Sequence, residues 1–300
     1  MKIVVAGGAN LDLLGRAKGR ALPGDSTPGT VRFRCGGVGR NICENLARLG
    51  AETALLSAVG DDWASELILR SCADAGIDVS GLLHVSGRTG AYLAAEDGDG
   101  ELLAAINDME ILQALTPAAL TVCTPLLHAA DALVLDANLP EQSLVWLAEQ
   151  FSGPIFADPV SCAKAERLLP LLPRLAFLKP NRAELYLLSG RDGVKEGMEA
   201  LQARGVQSLC VSLGAEGAAL LTAGGDFCLV PAPHVPICSV TGAGDSLTSG
   251  TIFGLLSGKA PERALRFGTA AAALTLQYDG AVRPDLSVSL VNEAEKEWLS

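Results

Sequence analysis

The chain has 300 residues, of which 49% are apolar and 19% charged, and this excludes a disordered protein because the apolar residues suffice for a large core. Its 23 Lys and Arg against 34 Asp and Glu give a net charge of −11, which argues against a nucleic-acid partner because phosphate contacts need a basic surface. No apolar run reaches the ~18 residues of a membrane helix. The first nine residues also lack the long apolar core of a signal peptide. We therefore expect a cytoplasmic protein with no membrane partner.

The eight cysteines include no Cys-x-x-Cys pair, and the chain has only three histidines. These spacings do not match a zinc site. Several cysteines lie inside apolar runs, as Cys210 does in Ser-Leu-Cys-Val-Ser. We expect them to be buried as small apolar side chains in a reducing compartment.

In chain order, short apolar stretches alternate with stretches of helical spacing. Strands that are apolar on both faces and separated by helices are typical of a mostly parallel sheet covered on both sides. The sequence therefore predicts an α/β fold. The predicted strands are 1–8, 54–59, 132–136, 155–158, 175–179, 208–212 and 218–222, and the clearest helices are 41–50 and 66–75.

Two stretches depart from this alternation. Residues 13–34 are rich in Gly and Pro and contain a period-two strand at 30–34. Residues 88–108 predict a hairpin, since Asp97-Gly-Asp-Gly stands between two apolar runs. Because two antiparallel insertions can pair with each other, we expect a small antiparallel lid on a single domain, 1–300. The alternative is an extension of the main sheet at its edge.

The most informative segment is the glycine-rich stretch at 239–250, Ser-Val-Thr-Gly-Ala-Gly-Asp-Ser-Leu-Thr-Ser-Gly. A helix is predicted to begin at Ala243 or Gly244, and its free N–H groups would bind an anion. Asp245 falls in its first turn, where the helix dipole favours the carboxylate form. An anion site beside a carboxylate base suits phosphoryl transfer to an alcohol. The alternative is an ordinary helix start with a charged cap.

A second glycine-rich segment, Cys-Gly-Gly-Val-Gly-Arg-Asn at 35–41, also precedes a predicted helix. It places Gly37 and Asn41 at the start of that helix. Taken alone this pattern is weak evidence, since many turns are built in this way. The Gly-Lys-Ser/Thr of a phosphate-binding P-loop does not occur in the chain.

Together the two segments resemble the two signatures of the PfkB/ribokinase family of carbohydrate kinases. Three further motifs stand in the family's order: Asn10-Leu-Asp12, Asn181-Arg-Ala-Glu184 and Ser212-Leu-Gly214-Ala-Glu-Gly217. The resemblance covers nearly the whole chain. It implies a ribokinase-like three-layer α/β/α domain with a small β lid, and phosphoryl transfer from ATP with Mg²⁺.

Further stretches are similar to the pseudouridine kinases of this family. This similarity implies transfer of the ATP γ-phosphoryl group to the 5′-hydroxyl of pseudouridine. A ribokinase or another nucleoside kinase is the alternative enzyme. A nucleoside-binding sensor is the alternative without catalysis, but it would need a lost Asp245 or a broken glycine turn, and both are intact. The similar stretches are Asp25 to Phe33, Ala105 to Met109, Asp158 to Ser161 with Lys164, and Arg283 to Ser287.

The resemblance implies a role for each candidate residue. Asp245 is the expected base, and Gly242, Ala243 and Gly244 the expected anion hole. The expected substrate contacts are Asn10, Asp12, Asp25, Ser26, Gly37, Asn41, Asn107, Met109 and Lys164. The expected nucleotide contacts are Asn181, Glu184, Ser212, Gly214, Gly217, Thr241 and Thr269.

Without the family, several of these residues have plainer interpretations. Asn41 is then a helix cap, Lys164 a solvated helix charge, and Asn181 with Glu184 a surface capping pair. With the family, Glu184 is expected to organise water ligands of Mg²⁺, which prefers oxygen ligands.

Ser239 stands where ribokinases have an aspartate that coordinates potassium. A neutral hydroxyl is a weaker cation ligand than a carboxylate, so we expect weaker potassium dependence than in a ribokinase. The resemblance and the alternating pattern of the lid also predict a homodimer that associates through the lid.

Overall fold

The strands of the chain form two separate sheets in the computed structural model, which describes residues 1–21 and 24–299. Nine strands build the main sheet and four build the lid. In chain order the strands are β1 (Lys2–Ala6), β2 (Asn10–Ala17), β3 (Gly29–Gly36), β4 (Glu52–Val59), β5 (Leu82–His84), β6 (Ala91–Glu96), β7 (Leu102–Asp108), β8 (Ala132–Asp136), β9 (Ile155–Asp158), β10 (Leu175–Leu178), β11 (Ser208–Ser212), β12 (Ala218–Leu221) and β13 (Phe227–Val230).

The helices follow the strands in the alternation that the sequence predicts. They are α1 (Val38–Arg48), α2 (Trp63–Asp74), α3 (Pro117–Leu120), α4 (Thr124–His128), α5 (Glu141–Gln150), α6 (Cys162–Ala165), α7 (Arg182–Ser189), α8 (Val194–Ala203), α9 (Ala243–Leu256), α10 (Pro261–Leu276) and α11 (Val288–Trp298). Short 3-10 helices cover Glu110–Ala114, Thr121–Cys123, Glu166–Arg174 and Gly214–Glu216.

The main sheet has the order β13-β12-β11-β10-β9-β8-β1-β4-β5. The strands from β11 to β5 run parallel, whereas β12 runs antiparallel to both of its neighbours. This confirms the predicted mostly parallel α/β sheet. The short strands β5 and β13, at the two edges of the sheet, were not among the predicted elements.

Apolar side chains cover both faces of the main sheet. In β1, Val4 and Ala6 belong to the core on one face, and Ile3 and Val5 to the core on the other. Helices α1, α2, α9, α10 and α11 contribute to the second core, and helices α3 to α8 to the first. The layers are therefore helix, sheet and helix, which is why the central strands are apolar at nearly every position.

The lid has the order β3-β2-β6-β7. Strands β2 and β3 form one antiparallel hairpin and β6 and β7 another, but β2 and β6 pair in parallel. The expectation of a wholly antiparallel lid is therefore wrong. Both β2 and β6 run outward from the main domain, and the amide of Leu11 bonds the carbonyl of Gly90 where they begin. Two strands that leave the domain in the same direction can pair only in parallel.

The lid boundaries also differ slightly from those predicted. The first lid strand begins at Asn10 rather than at residue 13, because β2 follows β1 after three residues. The predicted hairpin turn is present: Oδ1 of Asp97 accepts hydrogen bonds from the amides of Asp99 and Glu101 at 2.9 and 3.0 Å.

The eight cysteines are all free. Cys43, Cys72, Cys123 and Cys210 are buried, as expected of small apolar side chains. The expectation is wrong for Cys162 and Cys238, which are exposed: Cys162 is the first residue of the short helix α6, and Cys238 lies in the segment between β13 and α9. Among the described helices, none combines the length and apolarity needed to cross a membrane.

Candidate active site

The candidate residues gather where parallel strands of the main sheet end. Asp136 is the last residue of β8 and Asp158 the last of β9. The turn between β1 and β2 and the first turns of α1 and α9 approach the same edge, since Asp136 bonds the amides of Gly8 and Gly39. Ligand sites in open α/β sheets commonly lie at this edge.

The glycine turn before α9 forms as predicted. Gly242 has φ +79° and stands at the cap position, with α9 beginning at Ala243. A side chain at Gly242 would overlap the carbonyl of Ala281, so the close approach requires glycine. The first N–H groups of α9 have no acceptor within the helix, and N–H groups at the positive end of a helix are suited to bind an anion.

Asp245 lies in the first turn of α9 and is partly buried. Its Oδ2 accepts a hydrogen bond from Nδ2 of Asn41 at 2.8 Å. Burial, together with the carboxylate of Asp158, raises the pKa of Asp245 to about 7, against the opposing effects of Asn41 and Lys179. A carboxylate with this pKa is suited to accept a proton near neutral pH.

Lys179 is a buried cation beside the glycine turn. Its Nζ lies 3.1 Å from Oδ2 of Asp158, and a Cβ placed on Gly244 would lie 3.4 Å from that Nζ. Burial alone would lower the pKa of Lys179, but the carboxylates of Asp158, Glu184 and Asp245 raise it above its ordinary value. Lys179 is therefore charged and adds to the anion-binding character of the turn.

Asn10 and Asp12 mark the start of the lid. Nδ2 of Asn10 donates to Oδ1 of Asp12 at 2.6 Å. Burial raises the pKa of Asp12, while Asn10, Arg40 and Arg34 act in the opposite direction. A side chain at Gly36 would overlap the Asp12 carboxylate. The backbone of β3 therefore lies directly against this carboxylate.

Gly37 and Asn41 lie at the start of α1, as predicted. Gly37 has φ +97°, and a side chain there would overlap the carbonyl of Gly8. Asn41 is 5% exposed. The interpretation of Asn41 as a simple helix cap is wrong, because the cap residue of α1 is Gly37 and makes no side-chain hydrogen bond.

A cleft of about 200 Å³ lies between the lid and the segment before α9. Asp12, Arg32 and Arg34 line it from the lid, and Ser239 and Thr241 line it from the other side. The structure therefore brings the expected sugar-binding carboxylate to the same cleft as the segment that leads into the glycine turn.

Lys164 is tied into the site rather than solvated. Its Nζ donates to Oδ1 of Asn138 at 2.6 Å, and Nδ2 of Asn138 donates to Asp136 at 3.1 Å. Burial lowers the pKa of Lys164, which the charge of Asp136 opposes. The interpretation as a free helix charge is therefore wrong.

Asn181 and Glu184 form a reciprocal capping box at the start of α7. The Asn181 side chain accepts from the Glu184 amide at 2.9 Å, and Glu184 accepts from the Asn181 amide at 2.8 Å. The pair is not a surface pair, because Glu184 is 3% exposed. Burial raises the pKa of Glu184, and Lys179 opposes this. Glu184 can therefore cap α7 and also lie near the phosphates of a bound nucleotide.

The segment after β11 passes next to this box. The amide of Ser212 donates to the carbonyl of Pro180 at 3.1 Å. Gly214 and Gly217 have φ of +64° and +101°, and a side chain at Gly217 would overlap the carbonyl of Val230. Thr269 lies in α10 and is 5% exposed. It is not among the residues that line the cleft. Its contact with adenine stays a prediction.

The lid residues expected to contact a base fall into two groups. Asn107 pairs with Tyr92, which pairs with Asp12, so Asn107 lies on the same face of the lid as Asp12. A Cβ on Gly90 would meet Sδ of Met109 and the Asn10 side chain, so Met109 lies close to Asn10. Asp25 and Ser26 are exposed in the loop between β2 and β3, at the far end of that hairpin from Asp12.

Three residues of the site were missing from the sequence-based assignment: Asp136, Asp158 and Lys179. A signal for the two carboxylates was present, since each ends a strand that is otherwise apolar. Lys179 directly follows the apolar strand β10 and stands two residues before Asn181. A charge at the carboxyl end of a buried parallel strand is therefore a useful marker in this chain.

The fold and this site together define a phosphotransferase whose acceptor is a hydroxyl group. The sequence pattern of the pfkB family of carbohydrate kinases matches residues 1–287. The chain belongs to this family, which confirms the resemblance found in the sequence.

Curated relatives that cover most of the chain include two proteins of Escherichia coli K12. The pseudouridine kinase of Escherichia coli K12 is 34% identical, over 98% of this chain and 97% of its own. The uncharacterized sugar kinase YeiI of the same organism is 36% identical, over 95% and 80%. Among solved structures, a carbohydrate kinase from Agrobacterium tumefaciens superimposes with a TM-score of 0.90 at 32% identity, over 100% of this chain and 98% of its own.

Proposed function

We propose that the chain transfers the γ-phosphoryl group of ATP to the 5′-hydroxyl of pseudouridine, giving pseudouridine 5′-phosphate and ADP. The observation that carries this proposal is the position of Asp245. It is a partly buried carboxylate with a pKa near neutrality, and it stands in the first turn of the anion-binding helix. This arrangement is the one that phosphoryl transfer to an alcohol requires.

In the proposed reaction, Asp245 accepts the proton of the substrate hydroxyl. The hydroxyl oxygen forms a bond to the γ-phosphorus as the bond from that phosphorus to the ADP oxygen breaks. The N–H groups of the turn from Gly242 to Gly244 hold the negative charge of the phosphoryl group, and the ammonium of Lys179 adds to this stabilisation. Closure of the lid would exclude water, which is the competing acceptor.

The same region suits a nucleotide with Mg²⁺. Lys179 faces three carboxylates, those of Asp158, Glu184 and Asp245, so the region is rich in oxygen donors and carries net negative charge. Such donors suit Mg²⁺, which when bound neutralises charge on the phosphates. We assign Glu184 to the ion through water. We assign the nucleotide to Asn181, Ser212, Gly214, Gly217, Thr241 and Thr269.

The acceptor is assigned to the lid side of the cleft. Asn10, Asp12, Gly37 and Asn41 would bind the ribose hydroxyls. Asn107 suits a uracil edge, because its amide offers both a donor and an acceptor. The similarity to a pseudouridine kinase supports this substrate, and the equal similarity to an uncharacterized sugar kinase keeps ribose or another nucleoside as the alternative. The remaining assigned contacts are Asp25, Ser26, Met109 and Lys164.

The test is a comparison of initial rates of ADP formation with Mg²⁺ and ATP. The acceptors are pseudouridine, uridine, cytidine, adenosine, ribose and fructose 6-phosphate, assayed side by side. We expect pseudouridine to give the highest kcat/KM. A preference for ribose or another nucleoside would overturn the substrate assignment and leave the chemistry at Asp245 standing. Thermal stabilisation by a nucleoside without ADP formation would indicate a sensor.

A further inference from the structure

Arg40 is a buried cation for which the proposed reaction has no assigned role. It lies in the first turn of α1 and is 3% exposed. Its Nη1 donates to Oε2 of Glu44 at 2.5 Å and to Oγ of Ser71 at 3.0 Å, and its Nη2 donates to Oδ1 of Asn41 at 2.9 Å. Its Nε has no hydrogen-bond partner. Burying a guanidinium costs free energy. The bond to Asn41 indicates that Arg40 acts on the orientation of the Asn41 side chain.

Arg40 and Asp245 hold the two ends of the Asn41 amide. Oδ1 of Asn41 accepts from Arg40, and Nδ2 of Asn41 donates to Asp245 at 2.8 Å. A guanidinium can only donate, and an ionised carboxylate can only accept. With the amide reversed, two donors would face each other at Arg40 and two acceptors at Asp245. Arg40 therefore allows one orientation of the amide, in which Asn41 donates to Asp245 and favours the ionised carboxylate.

We propose that Arg40 is a positioning residue, which fixes the Asn41 amide so that Asn41 holds the Asp245 carboxylate ionised and oriented toward the substrate hydroxyl. This inference rests on the proposed role of Asp245 as the base. It adds that two residues of α1, Arg40 and Asn41, favour the ionised form of Asp245 over its protonated form.

Other charged groups also face these residues. Asp158, Lys179 and Asp136 act on Asp245, and they belong to strands or loops that a change at Arg40 leaves intact. Arg40 itself faces Glu44 and Asp12, and the thiols of Cys35, Cys43 and Cys72. Because Asp12 is assigned to the ribose, an effect through Asp12 would raise KM. Asn41 is assigned to the ribose as well and can also affect KM, but only the route from Asn41 to Asp245 lowers kcat, so kcat separates the two routes.

The first experiment compares Arg40→Lys with Arg48→Lys. Arg48 lies on the same helix and bonds the same Glu44, through Nε and Nη2 at 2.9 and 2.5 Å, but its side chain contacts Pro284 rather than Asn41. A lysine at position 40 keeps the charge and can reach Glu44, yet it loses the fixed fork that also reaches Asn41. Each variant is assayed with ATP and whichever of pseudouridine, uridine and ribose the wild-type chain phosphorylates fastest.

We expect kcat to fall about tenfold in Arg40→Lys, with KM changed less than about threefold, as for a lost hydrogen bond to a charged network. Both constants should stay within about twofold of wild type in Arg48→Lys. A wild-type kcat in Arg40→Lys would overturn the proposal. A raised KM with unchanged kcat would assign Arg40 to Asp12 instead and overturn it as well.

A double-mutant cycle with Asn41→Ala tests the route. If Arg40 acts through Asn41, the Arg40→Lys change should cost less than about twofold in kcat once Asn41 is alanine. A tenfold loss that persists in the Asn41→Ala background would overturn the proposal, since it would show that Arg40 acts by another path.

Two further variants keep the result interpretable. Arg40→Met with Glu44→Leu removes both buried charges together; Arg48 loses its bonds to Glu44 but keeps its bond to the carbonyl of Pro284. It should retain the Tm of the wild type within a few degrees and show the same loss of kcat. Asp245→Asn separates the two hypotheses: activity in this variant would defeat the proposed base. Its inactivity together with a normal Arg40→Lys would defeat only the role of Arg40.

Discussion

At the scale of single residues, opposing influences act on the pKa of Asp245. Burial and the carboxylate of Asp158 favour its protonated form, whereas Asn41 and Lys179 favour the ionised form. The influences that favour the protonated form prevail, so the pKa of Asp245 lies near 7 rather than at its ordinary 3.8. A base of this pKa is about half ionised at pH 7 and accepts a proton readily.

Replacing Asp245 by Asn should remove catalysis without harming the fold. We expect kcat to fall at least about 10²-fold, the low end for loss of a general base. Asp192→Asn, an exposed change between α7 and α8, is the matched control and should keep wild-type activity. Near-wild-type turnover by Asp245→Asn would show that another group accepts the proton.

The same variant carries a prediction for stability. The pKa of Asp245 in the fold, about 7 against an ordinary 3.8, means that its ionised form opposes folding above pH 7. Asp245→Asn should therefore be more stable than wild type at pH 8, by on the order of 1 kcal/mol. The gain should shrink as the pH falls below 7, where the wild type becomes protonated. Tm measured from pH 5 to 8 checks this, and a variant less stable at pH 8 would contradict it.

At the scale of elements, the turn before α9 depends on local hydrogen bonds. Oγ of Ser239 accepts from the amide of Thr241 at 3.2 Å, so this hydroxyl is already used within the turn. An aspartate at this position would offer a charged oxygen in addition.

This feature predicts the response to potassium. We expect turnover to rise less than tenfold when K⁺ replaces a large organic cation at constant ionic strength, because a neutral hydroxyl binds a cation weakly. Ser239→Asp should increase the response, and Ser239→Asn, which has the same size without the charge, should not. A rise above tenfold in the wild type would show that backbone carbonyls alone hold the ion.

The elements also show what the sequence can and cannot reveal. The strands from β8 to β11 were predictable because burial on both faces leaves an unmistakable apolar run. The parallel pairing of β2 with β6 was not, since it depends on where two distant segments leave the sheet. The glycine-rich turn made Asp245 a predictable site residue. Lys179 was not predictable, because the carboxylates that surround it come together only in the folded chain. Asp25 and Ser26 were selected by similarity, and their loop lies away from Asp12.

At the scale of the molecule, the two faces of the lid differ in chemistry. The row Arg34, Asp12, Tyr92 and Asn107 is polar and faces the cleft side. The adjacent row, with Phe33, Leu93 and Ile106, is apolar and belongs to the opposite face. These three side chains are 51%, 41% and 64% exposed. An exposed apolar patch of this kind marks a surface for association.

We predict that two copies associate through this apolar face. Ile106→Glu should yield monomers in light scattering after size exclusion, because the charge would be buried in the interface. Val122→Glu is the matched control: Val122 is 76% exposed but lies outside the lid, so the assembly should persist. A wild-type chain that is monomeric at micromolar concentration would exclude the lid-mediated dimer.

The position of β1 at the centre of the main sheet has a consequence for the chain while it is being made. The partners of β1 are β4, at residues 52–59, and β8, which ends at residue 136. At roughly 5–20 residues per second, the chain from the end of β4 at residue 59 to the end of β8 at residue 136 takes roughly 4–15 s to synthesise. During that time Ile3, Val4, Val5 and Ala6, all fully buried in the finished protein, have only one of their two neighbouring strands. The nascent chain therefore carries an open, apolar edge on β1 for the whole interval between the synthesis of β4 and that of β8.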